Sequence, residues 1–181
     1  YQEHGNFTIF DHSYMLETGA LPKDYFEWWG YEDEKLFEFA KEELMEISQN
    51  NEPFNFTMLT ADTHFEDGYV CRLCQNEYPD NQYANVIRCS DRQVFEFVNW
   101  LKQQDFYDNT TVVITGDHPT MDADFMDGAI INRNKYIQTT YLAILNAPIS
   151  YQGTNKREIC AYDLFPTTLA ALNVKIEGNH L

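Results

Sequence analysis

The run Thr110–His118, TTVVITGDH, constrains this chain more than any other stretch. Thr111 to Ile114 predict a buried strand, because branched side chains suit a pleated, packed surface. Gly116 lets the chain turn sharply where the strand ends. Asp117 and His118 then follow side by side. Open α/β sheets place their chemistry at the carboxyl ends of strands. Asp supplies a hard anionic oxygen and neutral His a nitrogen, a pairing suited to Zn or Mn. The dipeptide alone also fits a turn in which Asp117 caps a neighbouring segment and His118 is merely exposed, since two ligands do not specify a site.

The chain has 181 residues, 44% hydrophobic and 15% aromatic, which suits a single globular domain over 1–181. Lys and Arg total 12 against 29 Asp and Glu, a net charge of -17. That argues against nucleic acid as a partner, which needs a basic surface. It also disfavours adhesion to anionic lipid through surface charge. No stretch approaches the ~20 apolar residues of a membrane span. The chain opens at Tyr1 with no Met and no signal-like leader, as a piece of a longer protein would. Four cysteines are present: Cys71, Cys74, Cys89 and Cys160. Cys71-x-x-Cys74 invites a zinc or redox reading, but no second such pair follows. One local disulfide among Cys71, Cys74 and Cys89 is the first expectation, then free thiols, then a structural zinc, with the pairing open.

In chain order, Tyr1 to Trp29 has no clear period and predicts irregular structure with one short strand at Phe7 to Phe10. His4 and His12 read as ordinary surface or turn histidines. Trp28 and Trp29 read as core packing. Glu32 to Gln49 predicts a helix with Leu36, Phe37, Ala40, Leu44 and Ile47 on one stripe. Phe54 to Thr60 predicts a strand that delivers Asp62 and His64 at its end. Phe65 to Gln82 predicts a long loop, either a rim for a substrate site or a disulfide-pinned insertion. Tyr83 to Gln104 predicts a second helix with Ile87, Val94, Val98 and Leu101 inward, widened by Phe95 and Phe97. Strand, helix, strand in this order predicts a right-handed crossover and two parallel strands. Asp62, His64, Asp117 and His118 then share one edge and one cleft. Pro119 to Lys135 predicts a second loop, Gln138 to Leu145 a strand, and Ala161 to Leu172 a helix with Asp163 at or near its N-cap.

Four segments in order carry a resemblance: Trp29-Gly30-Tyr31-Glu32-Asp33, Leu59-Thr60-Ala61-Asp62-Thr63-His64, Tyr107-Asp108-Asn109-Thr110 with Thr115-Gly116-Asp117-His118, and Asp163 to Leu169. The chain resembles the carboxyl-terminal half of a sulfatase-like enzyme of the alkaline phosphatase superfamily, closest to phosphoglycerol transferases of the lipoteichoic acid synthase type. The resemblance implies an α/β fold: a layered α/β/α domain with a mainly parallel central sheet, incomplete here. It implies a divalent metal, Mn first, with Zn, Mg or Ca as alternatives, held by Asp117 and His118. It implies that His64 contacts the phosphate of an anionic phosphoglycerol or ester substrate. In such enzymes a Thr nucleophile beside the metal attacks a phosphodiester, and an acceptor hydroxyl resolves the covalent intermediate.

That Thr and an acidic metal ligand lie well upstream in the family, in a half this chain lacks, so no residue here is assigned as the nucleophile. The partner implied is therefore the missing upstream half, and the fragment is expected to be inactive alone and open to self-association. An extracytoplasmic, membrane-anchored location of the whole protein is implied as well. A sulfatase or phosphodiesterase-type hydrolase is the alternative within the enzymes, and a non-catalytic binding domain the alternative outside them.

Overall fold

The computed structural model describes residues 5, 7–129, 137–149 and 158–175. It falls into two compact units, Tyr1–Val98 and Asn99–Leu181. His4 and the segment 130–136 lie outside the described residues.

In the first unit, helix α1 (His12–Glu17) starts where Asp11 accepts a hydrogen bond from the Tyr14 backbone N–H at 2.9 Å. No strand forms at Phe7 to Phe10, contrary to expectation. The Asp11 cap satisfies an orphan donor and turns the chain into a helix instead. Helix α2 (Asp33–Ile47) buries Phe37, Ala40 and Leu44, so one face of the expected stripe is closed. It tightens into a 3-10 turn (Ser48–Asn50), and Asn51 stops it at a left-handed φ of 53°. Phe54 to Thr60 does not become a strand. Burial there still alternates, with Phe56, Met58 and Thr60 half-buried and Asn55, Thr57 and Leu59 exposed. That is the period of a half-buried strand, but no strand pairs with it among the described residues.

Helix α3 (Gln82–Leu101) follows the expected apolar pattern only in part. Its inward face is Tyr83, Val86, Cys89, Gln93, Phe97 and Leu101. Ile87 and Phe95, expected inside, are 40% and 65% exposed. Phe97 and Leu101 are buried and Val94 and Val98 half-buried, as expected, while Cys89, Asn85 and Gln93 complete the inward face in place of Ile87 and Phe95. Gly68, at φ +65°, lets the preceding loop pass directly over this face. A Cβ there would lie 2.7 Å from the Asp62 carbonyl oxygen and 2.8 Å from Val86 Cγ1. Asn85 is buried and holds the loop to the helix. Its Oδ1 accepts from the Glu77 and Tyr78 backbone N–H groups, and its Nδ2 donates to Asn76 Oδ1 and the Tyr78 carbonyl.

None of the four cysteines is disulfide-bonded, which corrects the first expectation. Cys71 Sγ lies 3.6 Å from Cys74 Sγ and 3.7 Å from Cys89 Sγ, against about 2.0 Å for a bond.

In the second unit a 3-10 turn (Asp105–Asn109) leads into strand β1 (Val112–Thr115). Helix α4 (Ala123–Ala129) occupies part of the stretch expected to be loop. Asp122 starts it, its Oδ1 accepting from the Phe125 backbone N–H at 2.8 Å. Strand β2 (Leu142–Leu145) pairs with β1 antiparallel, in the register Val112↔Leu145 to Thr115↔Leu142. The expected parallel partner of β1 is therefore not seen among the described residues, and β1 is half-buried rather than buried. Asn146 Nδ2 donates to the Tyr107 and Thr110 carbonyls, tying the end of β2 to the start of β1. Helix α5 (Ala161–Ala171) is capped by Cys160, and Asp163 sits three residues in, closing a reciprocal capping box. No helix among the described residues is long and apolar enough to cross a membrane.

Candidate functional site

β1 hands the chain to Asp117 and His118 through a tight contact. The Gly116 backbone N–H donates to the Tyr141 carbonyl at 2.9 Å. A Cβ on Gly116 would sit 3.3 Å from Thr140 Cβ, so a larger residue would push the strand end outward. Asp117 Oδ1 then accepts from the His118 backbone N–H at 2.9 Å. That leaves Asp117 Oδ2 facing the imidazole, 3.5 Å from His118 Nε2. His118 Nδ1 lies 2.8 Å from the Pro119 carbonyl oxygen. A carbonyl only accepts, so Nδ1 carries the proton and Nε2 of the neutral ring is bare.

A hard oxygen and a bare nitrogen therefore converge. Two ligands about 2.1 Å from one ion lie roughly 3.0–3.4 Å apart, close to the separation seen here. The side chains of Asp117 and His118 are 69% and 50% exposed, so the pair is open to further ligands. The donor set fits a divalent cation of the Mn or Zn class.

The first unit carries the other expected residues. Asp33 and Asp62 are 1% and 2% exposed and clamp each other's backbone. Asp62 Oδ1 accepts from the Asp33 N–H at 3.0 Å, while Asp33 accepts from Ala61 and Asp62 N–H groups at 2.7 and 3.3 Å. Asp62 Oδ2 is buried with no hydrogen-bond partner. Burial, and then the Asp33 charge, pushes the Asp62 carboxyl up to about 7. Burial also raises Asp33, against the two N–H bonds that lower it. Asp62 thus faces inward, not into an open cleft as expected. It builds the turn that presents His64.

His64 stands half-exposed on that turn, its backbone N–H donating to the Ala61 carbonyl at 3.0 Å. His64 Nδ1 lies 2.6 Å from the Phe65 carbonyl, which again places the proton on Nδ1. Nε2 is left to meet a ligand, as an acceptor when the ring is neutral and a donor when it is charged. The Trp29 ring leans on the imidazole, centroids 4.0 Å apart at 51°. Trp29 is 62% exposed, so the expectation of core packing fails for it. Trp28 does the structural work, donating Nε1–H to the Ala61 carbonyl at 2.9 Å from a positive φ of 54°. The strain at Trp28 is what turns consecutive tryptophans to different tasks. The Trp-Trp-Gly spelling marks such a turn only in hindsight, because exposure cannot be read from residue type. His64 and Asp62 belong to the first unit, and Asp117 and His118 to the second.

The comparisons with known proteins agree on one family. The family model described as Sulfatase matches residues 1–174. Phosphoglycerol transferase I of Xanthomonas campestris pv. campestris is 33% identical over 129 residues, covering 68% of this chain and 18% of that protein. Phosphoglycerol transferase I of Citrobacter koseri is 32% identical over 120 residues, covering 62% and 16%. The Salmonella paratyphi B protein of the same name is 30% identical over 120 residues. The chain spans 18% of the first of these relatives and 16% of the second. No solved structure matches. With the family match running over nearly all its length, and with an Asp-His pair at the strand end, the chain belongs to the sulfatase family.

Proposed function

We propose that this chain carries part of the active site of a metal-dependent phosphoglycerol transferase. The observation that carries the reading is the pair at the end of β1: Asp117 Oδ2 and His118 Nε2 face one another at 3.5 Å, with His118 Nδ1 tied to a carbonyl. Backbone-fixed imidazoles of this kind are how proteins hold a metal-binding nitrogen in one tautomer. Sulfatase-family enzymes are generally metal-dependent, which supports the same reading. Asp117 and His118 would hold the ion, with Mn²⁺ the first choice. A divalent ion there supplies polarisation of a phosphoryl oxygen and a lower pKa for a neighbouring hydroxyl.

The rest follows from the chain's own groups. His64 binds a phosphate oxygen of the substrate through Nε2–H. Because Nδ1 is already committed, that donation requires the imidazolium, which adds a positive charge toward the anion. Trp29 beside it gives an apolar wall for the non-phosphate part of the substrate and thins the water around His64. Asp33 and Asp62 keep the turn in place. The nucleophilic Thr and a further acidic ligand come from a segment outside this chain. The fold is then one part of a layered α/β/α domain, and the whole protein acts outside the cytoplasmic membrane as an anchored enzyme. A second reading, a sulfatase acting on a sulfuric ester, is favoured by the family's own description.

The deciding assay compares a chromogenic phosphodiester with the matching sulfate ester, using the full-length protein. Turnover of the phosphodiester is expected, lost on chelation and restored by Mn²⁺. Asp117→Ala and His118→Ala should each lower it by at least about 100-fold, the upper end of what outer-shell changes at metal sites cost. Faster turnover of the sulfate ester would move the assignment to the sulfatases. Unchanged turnover in both variants would remove the site from β1.

A further inference from the structure

Cys71, Cys74 and Cys89 put three sulfur atoms within 4.8 Å of one another. Cys71 and Cys74 come from the loop after His64, and Cys89 from the buried face of α3. Cys71 and Cys89 are 4% and 2% exposed. The separations of 3.6 and 3.7 Å from Cys71 are far from a covalent bond. They match the edge of a tetrahedron of sulfurs about 2.3 Å from one ion, which is roughly 3.8 Å.

Burial raises the Cys71 and Cys74 thiols, so the sulfurs keep their protons until a cation enters, while polar groups stand around them. The Leu73 backbone N–H is directed at Cys71 Sγ. Gln93, itself buried, brings its Nε2 to 3.7 Å from Cys89 Sγ and 4.0 Å from Cys71 Sγ. Arg92 pairs through Nη1 with Glu77, yet its Nη2 is buried with no hydrogen-bond partner, and the guanidinium interacts with Cys89. These donors and the Arg92 cation offset part of the charge that burial opposes once an ion draws the protons off. Cys74 also lines an open cleft of about 400 Å³ with Val70, Gln75, Asn76, Asn81 and Asn85. The cleft opens the cluster to solvent at Cys74, the side from which a fourth ligand can enter.

From this geometry we infer a second metal site, separate from Asp117 and His118, in which Cys71, Cys74 and Cys89 hold a thiophilic divalent ion of the Zn²⁺ class as thiolates, with water as fourth ligand. Three thiols lose their protons as the ion binds, and no electron moves. The ion clips the loop that follows His64 onto α3, so it stabilises the support of the substrate-facing turn without touching substrate.

Cobalt(II) is the probe, because cobalt thiolates absorb in the near ultraviolet and tetrahedral cobalt absorbs strongly in the visible. Titrating the reduced, metal-stripped protein should give both bands, saturating at one ion per chain. Zn²⁺ should bleach them. Cys89→Ser should weaken the charge-transfer band and the binding by at least about tenfold, while Cys160→Ser should leave both unchanged. Protein purified without reductant should carry zinc and keep the mass of four free thiols. No charge-transfer band in the unsubstituted protein would overturn the site, as would an intact mass two hydrogens lighter, the mark of a disulfide. Those readouts stand even if Cys89→Ser does not fold.

Discussion

Asp62 carries its carboxyl into the interior on the same turn that leaves His64 half-exposed. Its ordinary value is 3.8, and burial with the Asp33 charge lifts it to about 7. A raised carboxyl binds its proton more tightly folded than unfolded. The stability it contributes is therefore fully present below the unfolded value and falls as pH rises through the folded one. The melting midpoint should drop by several degrees between about pH 5 and about pH 8. Asp62→Asn removes its own titration while keeping an acceptor for the Asp33 N–H, so its midpoint should fall less over that range, the remaining slope belonging to the buried Asp33. Equal slopes for both proteins would place the pH dependence elsewhere. At this scale the exposed polar turns were legible in the sequence. The polar sets after Thr60 and after Thr115 lie on turns that leave His64, Asp117 and His118 open to solvent. The sequence did not reveal which of two neighbouring carboxyl and imidazole groups would turn inward, because that depends on Asp33, 29 residues earlier in the chain.

At the scale of elements, long periodic segments were legible and their rotation was legible in part. The helices α2, α3 and α5 lie within a few residues of where the apolar spacing put them. The inward face of α3 was legible at Phe97 and Leu101 and missed at Asn85, Cys89 and Gln93, which are buried for their hydrogen bonds and sulfur, not for hydrophobicity. Asn85 makes the consequence measurable. It serves two backbone N–H groups of the 77–78 turn and one carbonyl, all from the first turn of α3. Leaving such groups unsatisfied costs about 1–3 kcal/mol each when buried. Asn85→Ala should thus lower stability by about 2–4 kcal/mol in urea unfolding. Asn85→Asp keeps the acceptor for both N–H groups and should lose less. A loss under about 1 kcal/mol for the alanine variant would mean that water replaces the side chain. Short elements were harder: α1 and α4 each begin at a single capping carboxylate, Asp11 and Asp122, a signal too common to separate from an ordinary loop Asp.

Across the whole molecule, charge and apolar surface pull in opposite directions. The net charge of -17 keeps copies apart, while α5 and its C-cap present Tyr162, Phe165 and Leu172 at 92%, 68% and 46% exposure. Their spacing of three and seven places them along one face of the helix. β1 and β2 pair only with each other among the described residues, so each also offers an edge. Apolar association is insensitive to screening, whereas like-charge repulsion fades once the Debye length shrinks to a few ångströms. Self-association of this chain should therefore rise with protein concentration and rise further with added salt. Sedimentation velocity at two concentrations, in low and high salt, reads both effects. Tyr162→Ser with Phe165→Ser should return the chain to monomer, since the two rings carry most of the exposed face. Association that weakened with salt would instead implicate ion pairs between copies, and a monomer under every condition would mean that the charge alone outweighs the face of α5.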